Sequence, residues 1–160
     1  VNKSQKRIHV LLENSSEVIT ICNEDGTISY VSPSVTSILG YKPEELIGTK
    51  DFERILDKGV EDYKNMFKAL HENTERKITI EYAYKKKNGD DIWLEVTGTN
   101  MLKDAAIKGI VLNTRDITER KLAEKEARMR SQMQSLSENS PDLITRLNKD
   151  GKIYYINPTI

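Results

Sequence analysis

The sequence predicts an α+β domain: a five-stranded antiparallel sheet with helices on one face, flanked by N- and C-terminal linker helices. Three observations carry this prediction. Two hairpin signals, Asn23-Glu24-Asp25-Gly26 and Asn88-Gly89, each sit between runs of alternating β-rich residues. Between them lies an amphipathic stretch at helical spacing. The chain also repeats itself: shifted by 125 positions, Leu11–Val35 aligns without a gap on Leu136–Ile160, with 12 of 25 pairs identical.

The elements follow in order. Val1, Gln5, Ile8 and Leu12 fall at helical spacing, so residues 1–12 read as an entering amphipathic helix. "VITICNEDGTISYVS" is a hairpin whose turn suits Asp25 and Gly26, since Asp tolerates the turn and Gly supplies the positive φ. The repeat identifies its buried face. Ile21 aligns with Arg146, a poor core residue, whereas Val18, Thr20 and Cys22 align with Leu143, Thr145 and Leu147. The second set is expected to point inward, which makes Cys22 a small core residue.

Pro33 opens a short helix that stops at Gly40, and Pro43 opens another that stops at Gly48. "DKGVEDYKNMFKALHEN" is longer, with Val60, Tyr63, Phe67 and Leu70 in one stripe and Met66 on its edge. Two strands follow around Asn88-Gly89. Ile78, Ile80, Tyr82 and Tyr84 share one face of the first. Ile92, Leu94, Val96 and Gly98 share one face of the second, which puts Trp93, Glu95 and Thr97 on the other. "KGIVLNTRD" is the last strand, with Ile110, Leu112 and Thr114 together.

A closing helix spans residues 117–137. Asp116 and Glu119 have the spacing of a capping box, and Glu124/Arg128 and Glu126/Arg130 are i,i+4 pairs of favourable order. Leu122, Met129 and Leu136 lie seven apart with Met133 beside them, a narrow apolar seam that Glu126 interrupts. The repeat then starts again at residues 138–160 and breaks off inside its hairpin. The expectation is a piece of a longer protein with tandem copies. A lone hairpin is marginal in water, so Leu143, Ile153 and Tyr155 are expected to pack on another chain or on the first domain.

Composition narrows the function classes. Lys+Arg and Asp+Glu are both 25, a net charge of zero, which argues against nucleic acid as a partner because phosphate binding needs a clustered positive excess. The basic run Lys85-Lys86-Lys87 reads as a solvated hairpin end. No apolar run approaches the ~20 residues of a membrane span, and membrane contact is not expected of this stretch. One cysteine cannot build a disulfide framework or a Cys-based metal cage, and a cytoplasmic location is the expectation. Glu44-Glu45 and Asp90-Asp91 lack a companion His, Cys or glycine-rich phosphate loop, so no catalytic residue is assigned. His71, near the end of a charged helix, is expected to face solvent. His9 lacks the acidic and Arg-Thr-Pro residues of a phospho-acceptor helix. Trp93 alternates outward, either under a helix of this or a partner chain or as a partly shielded surface aromatic.

A cavity, if the core leaves one, is expected between the inner sheet face and the long helix, lined by Thr20, Met66, Phe67, Leu70, Ile80, Tyr82, Val96 and Leu112. The competing expectation is that these residues simply fill the core.

The order of elements and four motifs resemble a PAS domain, the sensory module common in bacterial and archaeal signalling proteins. The motifs are the hairpin Asp25–Ser34, "LGYKPEELIG" (Leu39–Gly48), "NGDDIWLEV" (Asn88–Val96) and "DITERK" (Asp116–Lys121). The resemblance covers about residues 12 to 121 and places the domain at 13–116. It implies a sensory and dimerisation module of a larger signal-transduction protein, such as a sensor histidine kinase of a two-component system, or a cyclase or phosphodiesterase. It implies a homodimer through the flanking helices. Signals would pass through Asp116, Thr118 and Arg120 into the closing helix, in response to a small molecule or a partner. The alternative is a ligand-free spacer that sets dimer geometry. The central segment "KPEELIGTKDFERIL" lacks the cysteine motif of the flavin-binding branch, and His71 does not suit the iron-ligating position of the haem-binding branch. No cofactor is assigned, and no metal.

Overall fold

The computed structural model describes residues 15–73 and 75–138. The entering helix at 1–12, His9, and the second copy beyond Glu138 with Leu143, Ile153 and Tyr155 lie outside the described residues. The chain divides into two compact units at the Thr118/Glu119 junction.

In the first unit, β1 (Glu17–Cys22) and β2 (Ile28–Val31) form the first hairpin. Two short helices follow, α1 (Val35–Leu39) and α2 (Pro43–Leu46), then a 3-10 turn (Asp51–Arg54) and the long helix α3 (Gly59–Glu72). Strands β3 (Lys77–Lys85), β4 (Asp91–Met101) and β5 (Gly109–Asp116) complete a five-stranded sheet in the order β2-β1-β5-β4-β3. Every pairing is antiparallel. This is the predicted α+β architecture.

Period-2 alternation sets the inner face. Val18, Thr20 and Cys22 are buried on β1, as the comparison between the two copies predicted. Ile92, Leu94, Val96 and Gly98 are buried on β4, with Ile110, Leu112 and Thr114 on β5. Trp93 on the outer face keeps 39% of its surface. At the β3–β4 turn, Gly89 adopts φ 94, a left-handed conformation that costs a glycine nothing in sterics. The lysines beside this turn find acids: Lys85 Nζ lies 2.9 Å from Asp91 Oδ1, and Lys87 Nζ lies 2.6 Å from Glu45 Oε1. The second contact ties the hairpin end to α2, and it holds the Glu45 carboxyl below its ordinary range.

Helix α3 is rotated from its expected setting. Its buried line is Gly59, Tyr63, Met66 and Leu70, while Val60 and Phe67 are half-buried. The reason is steric. A Cβ on Gly59 would come within 2.6 Å of the Tyr82 Cβ, so the helix starts against β3 through a residue without a side chain. Met66 therefore sits in the core rather than on its edge.

His71 is also not the solvent-facing residue expected. Its ring packs 6.1 Å from that of Phe67, and Nδ1 lies 2.7 Å from the Phe67 carbonyl oxygen. Nε2 is buried with no hydrogen-bond partner among the described residues.

The closing helix α4 runs over Thr118–Glu138. Its start is capped differently from the expected box. Asp116 Oδ1 accepts hydrogen bonds from the Thr118 backbone N–H at 2.9 Å and the Thr118 hydroxyl at 2.6 Å. Thr118, rather than Glu119, is the partner of Asp116. Arg120 pairs with Glu124, Nε to Oε1 at 3.6 Å. The apolar seam of Leu122, Met129, Met133 and Leu136 is exposed on this helix.

Candidate functional site

Two features stand out in the first unit: a small polar-walled void in the core and a hydrogen-bonded joint where the sheet ends.

The void lies between the inner sheet face and the short helices, and it has room for about one water. Its apolar wall comes from Val18, Ile28 and Val31 on the first hairpin, Val35 and Leu39 on α1, Leu46 on α2, and Leu94 on β4. Thr20 from β1, Thr114 from β5, Tyr82 and Tyr84 from β3, and Asp51 from the 3-10 turn bring polar groups to it.

Asp51 is the unexpected member. The turn that carries it is docked on β3: Leu56 N–H donates to the Ala83 carbonyl at 2.9 Å, and Ile55 bridges to Tyr84. This places Oδ1 where the Tyr84 hydroxyl donates to it at 3.1 Å. Burial pushes the Asp51 carboxyl above its ordinary value, against the opposing pull of the Tyr84 hydrogen bond and the nearby Arg54 charge. Arg54 itself is engaged elsewhere. Its Nη2 donates to Thr49 Oγ1 at 3.2 Å, and its guanidinium lies 5.3 Å from the centre of the Tyr41 ring.

The predicted lining divides in two. Thr20 and Tyr82 face the void. Met66, Leu70 and Leu112 instead crowd around Gly98, where an added Cβ would lie 2.7 Å from Leu70 Cδ1 and 3.3 Å from both Leu112 Cδ2 and Met66 Sδ. Val96 is fully buried, and Phe67 and Ile80 are half-buried. The long helix is seated so closely that the space falls to the short helices instead. Asp51, Tyr84 and Thr114 were not singled out in the sequence as site residues. For Tyr84 and Thr114 the inward register was the available signal, and for Asp51 there was none.

Cys22 is fully buried beside Tyr63, and burial pushes its thiol up to about 12. The Tyr63 hydroxyl approaches the thiol without the geometry of a full hydrogen bond. The thiol is thus held protonated and packs as a small core residue.

The joint lies at the other end of β5. Ile117 N–H donates to the Trp93 carbonyl at 2.9 Å, and the Trp93 N–H donates to Thr118 Oγ1 at 3.1 Å. With the two Thr118 bonds to Asp116, the ends of β4 and β5 and the first residue of α4 are knotted together. Among the described residues, no group of His, Cys, Asp and Glu is placed to hold a metal ion, and no helix is long and apolar enough to cross a membrane.

A sheet of this order, with short helices and one long helix over its inner face and a helix leaving its last strand, defines a sensory-type domain. The family model for the PAS domain matches residues 16–119, and the chain belongs to that family. Over 81 residues it is 32% identical to basic helix-loop-helix ARNT-like protein 2 of Gallus gallus, a match covering 51% of this chain and 13% of that protein. Over 85 residues it is 34% identical to the high affinity cAMP-specific and IBMX-insensitive 3',5'-cyclic phosphodiesterase 8A of Homo sapiens, covering 53% and 10%. Both relatives are far longer than the stretch they share with this chain. The PAS domain of an HTR-like protein from Haloarcula marismortui superposes with a TM-score of 0.60 at 24% identity, covering 73% of this chain and 100% of that one. A domain of a sensory box sensor histidine kinase/response regulator from Geobacter sulfurreducens gives 0.55 at 19%, covering 71% and 94%. These two likenesses concern the fold. The chain therefore carries a PAS domain, a non-catalytic module of the kind found in signalling proteins.

Proposed function

We propose that residues 13–116 receive a signal in the core and pass it through Asp116 and Thr118 into the helix at 117–137. In this reading the module belongs to a larger cytoplasmic signal-transduction protein, such as a histidine kinase. The flanking helices and a second PAS copy at 138–160 form a homodimer. One observation carries the proposal: Thr118 bonds at once to Asp116 on β5 and to Trp93 on β4, so the start of α4 follows both strand ends. Arg120 belongs to the same segment but pairs with Glu124 and supports the first turns of α4.

The test is hydrogen exchange on the whole chain. Thr114→Val perturbs the void without touching the joint. It is expected to change amide protection in the first turns of α4 in the wild-type background and to leave them unchanged in the Asp116→Ala background. Equal effects in both backgrounds would refute the relay. The small size of the void supports a second reading, a spacer that sets dimer geometry without a ligand. A chain that is monomeric by light scattering would end that reading.

A further inference from the structure

We propose that the void beside Asp51 is a recognition site for a primary ammonium group, either the ammonium ion or the head of a small aliphatic amine. The proposal rests on the reading of this core as the receiving end of the module and names the chemistry it receives.

The acceptors on the void wall argue for it. Asp51 uses Oδ1 for the Tyr84 hydroxyl. Its second oxygen has no partner among the described residues, and the carboxylate makes no ion pair there, because Arg54 is turned to Thr49 and the Tyr41 ring. Thr20 and Thr114 are buried, at 5% and 7% exposure, and both line the void. Neither hydroxyl has a hydrogen-bond partner among the described residues. The two threonine hydroxyls and one Asp51 oxygen, with the Tyr82 hydroxyl beside them, leave hydrogen-bonding capacity open around one void.

The donors must be few, close and positive. An ammonium group offers three N–H donors, no acceptor and one positive charge. Three donors match the Asp51 oxygen and the two threonine hydroxyls. Its size matches a void with room for about one water. The charge matters most. A neutral water could satisfy the hydroxyls, but it brings no charge to balance that of the carboxylate. A cation supplies that charge, and a charge-assisted bond in such surroundings is about twice as strong as a neutral one. The void holds only the head, so the tail of an amine would leave by the Asp51 side. Asp51 is only half-buried, so the acid end reaches toward the surface and gives the ligand a way in.

The experiment is an amide NMR titration of the full chain with methylammonium chloride, with methanol as an uncharged probe of the same size and sodium chloride as the salt control. Methylammonium is expected to shift Thr20, Asp51 and Thr114 saturably, and methanol to bind at least about tenfold more weakly. Asp51→Asn should weaken methylammonium binding by about tenfold or more and methanol binding by severalfold less than that. Should Asp51→Asn fail to fold, Thr20→Val and Thr114→Val each remove one acceptor at the same shape and should each weaken methylammonium binding severalfold. Equal binding of the two probes, unchanged binding in these variants, or no saturable shift at the void overturns the proposal. Methanol binding alone would sink the ammonium assignment and leave the relay intact. Failure of Asp116→Ala to uncouple α4 would sink the relay while the titration still reports on the ammonium site.

Discussion

Replacing Tyr84 by Phe removes one oxygen and little else, which makes it a clean probe of the Asp51 site. Tyr84 is 1% exposed, and its hydroxyl donates to Asp51 Oδ1 at 3.1 Å. A hydrogen bond to a charged group is worth about 1.5–3 kcal/mol net. This one is long for its type and only partly buried, so the lower end applies, about 1.5 kcal/mol. For a unit of slightly over 100 residues each 1 kcal/mol lowers Tm by roughly 4–5 °C. The loss should be about 6–8 °C near neutral pH.

The loss should also depend on pH, and the sign is fixed by linkage. Asp51 already has a raised folded pKa, so its contribution to stability is fully present below the ordinary carboxylate value and is lost as pH rises through the folded one. The Tyr84 bond opposes that shift. Without it the folded pKa climbs further, and the variant loses more than the wild type between acid and neutral pH. Urea denaturation followed by circular dichroism from pH 4 to 8 should show a small difference at the acid end that grows toward neutrality. In an Asp51→Asn background the difference should be flat. A pH-independent cost in the wild-type background would refute the assignment of Asp51 as the partner that matters.

Gly98→Ala should destabilise by about 1–2 kcal/mol. Overpacking typically costs about 1–3 kcal/mol, and the stiffer unfolded chain returns part of it. The new methyl meets Leu70 Cδ1 at 2.7 Å, and a urea midpoint equal to wild type would mean that α3 is not seated on β4. Alkaline unfolding should set in above about pH 9. The Cys22 thiol is raised from 9.0 to about 12, so its contribution is present below 9 and is lost across that window. Cys22→Ala should flatten the first part of the fall and leave a later part to the buried Tyr82 and Tyr84, whose hydroxyls are also raised. Asp116→Ala should cost about 1 kcal/mol in urea, the usual value of a lost helix cap. It should also speed exchange of the Thr118 amide, whose acceptor is Asp116, and unchanged exchange there would show that the cap is dispensable.

What could be read from the sequence was what has a period. The inward set Val18, Thr20 and Cys22 followed from strand alternation once the second copy showed Arg146 opposite Ile21. The β3–β4 register was visible around Asn88-Gly89 for the same reason. Helix α3 was found but misrotated by part of a turn, because hydrophobicity favours Val60 whereas packing on Tyr82 requires the missing side chain of Gly59. Asp51 was invisible. A four-residue 3-10 turn has no period to read, and Asp51 meets Tyr84 only because Ile55 and Leu56 dock that turn on a strand more than 25 positions further along. The void was expected under the long helix. It lies under the short ones, because Met66 and Leu70 close on Gly98 and leave no space there.

The distance between void and joint decides whether one can act on the other. Thr114 lines the void and Asp116 caps α4, two residues apart on β5 and therefore on the same face, roughly 7 Å along the strand. Leu94, also on the void wall, is the register partner of Asp116, and its neighbour Trp93 holds Ile117 and Thr118. A ligand that pulls Thr114 toward Asp51 must therefore either slide β5 against β4 or twist its last two residues. Sliding breaks the Leu94–Asp116 register, which a ladder of eight paired positions resists. Twisting costs only the end pairs, Leu94–Asp116 and Glu95–Arg115 with β4 and Glu17–Arg115 with β1, and it turns the Asp116 carboxylate on which the Thr118 amide and hydroxyl depend. The softer of the two motions would be the one to reach α4, and altered hydrogen exchange from Arg115 into the first turns of α4, with the rest of β5 unchanged, is the pattern it would leave.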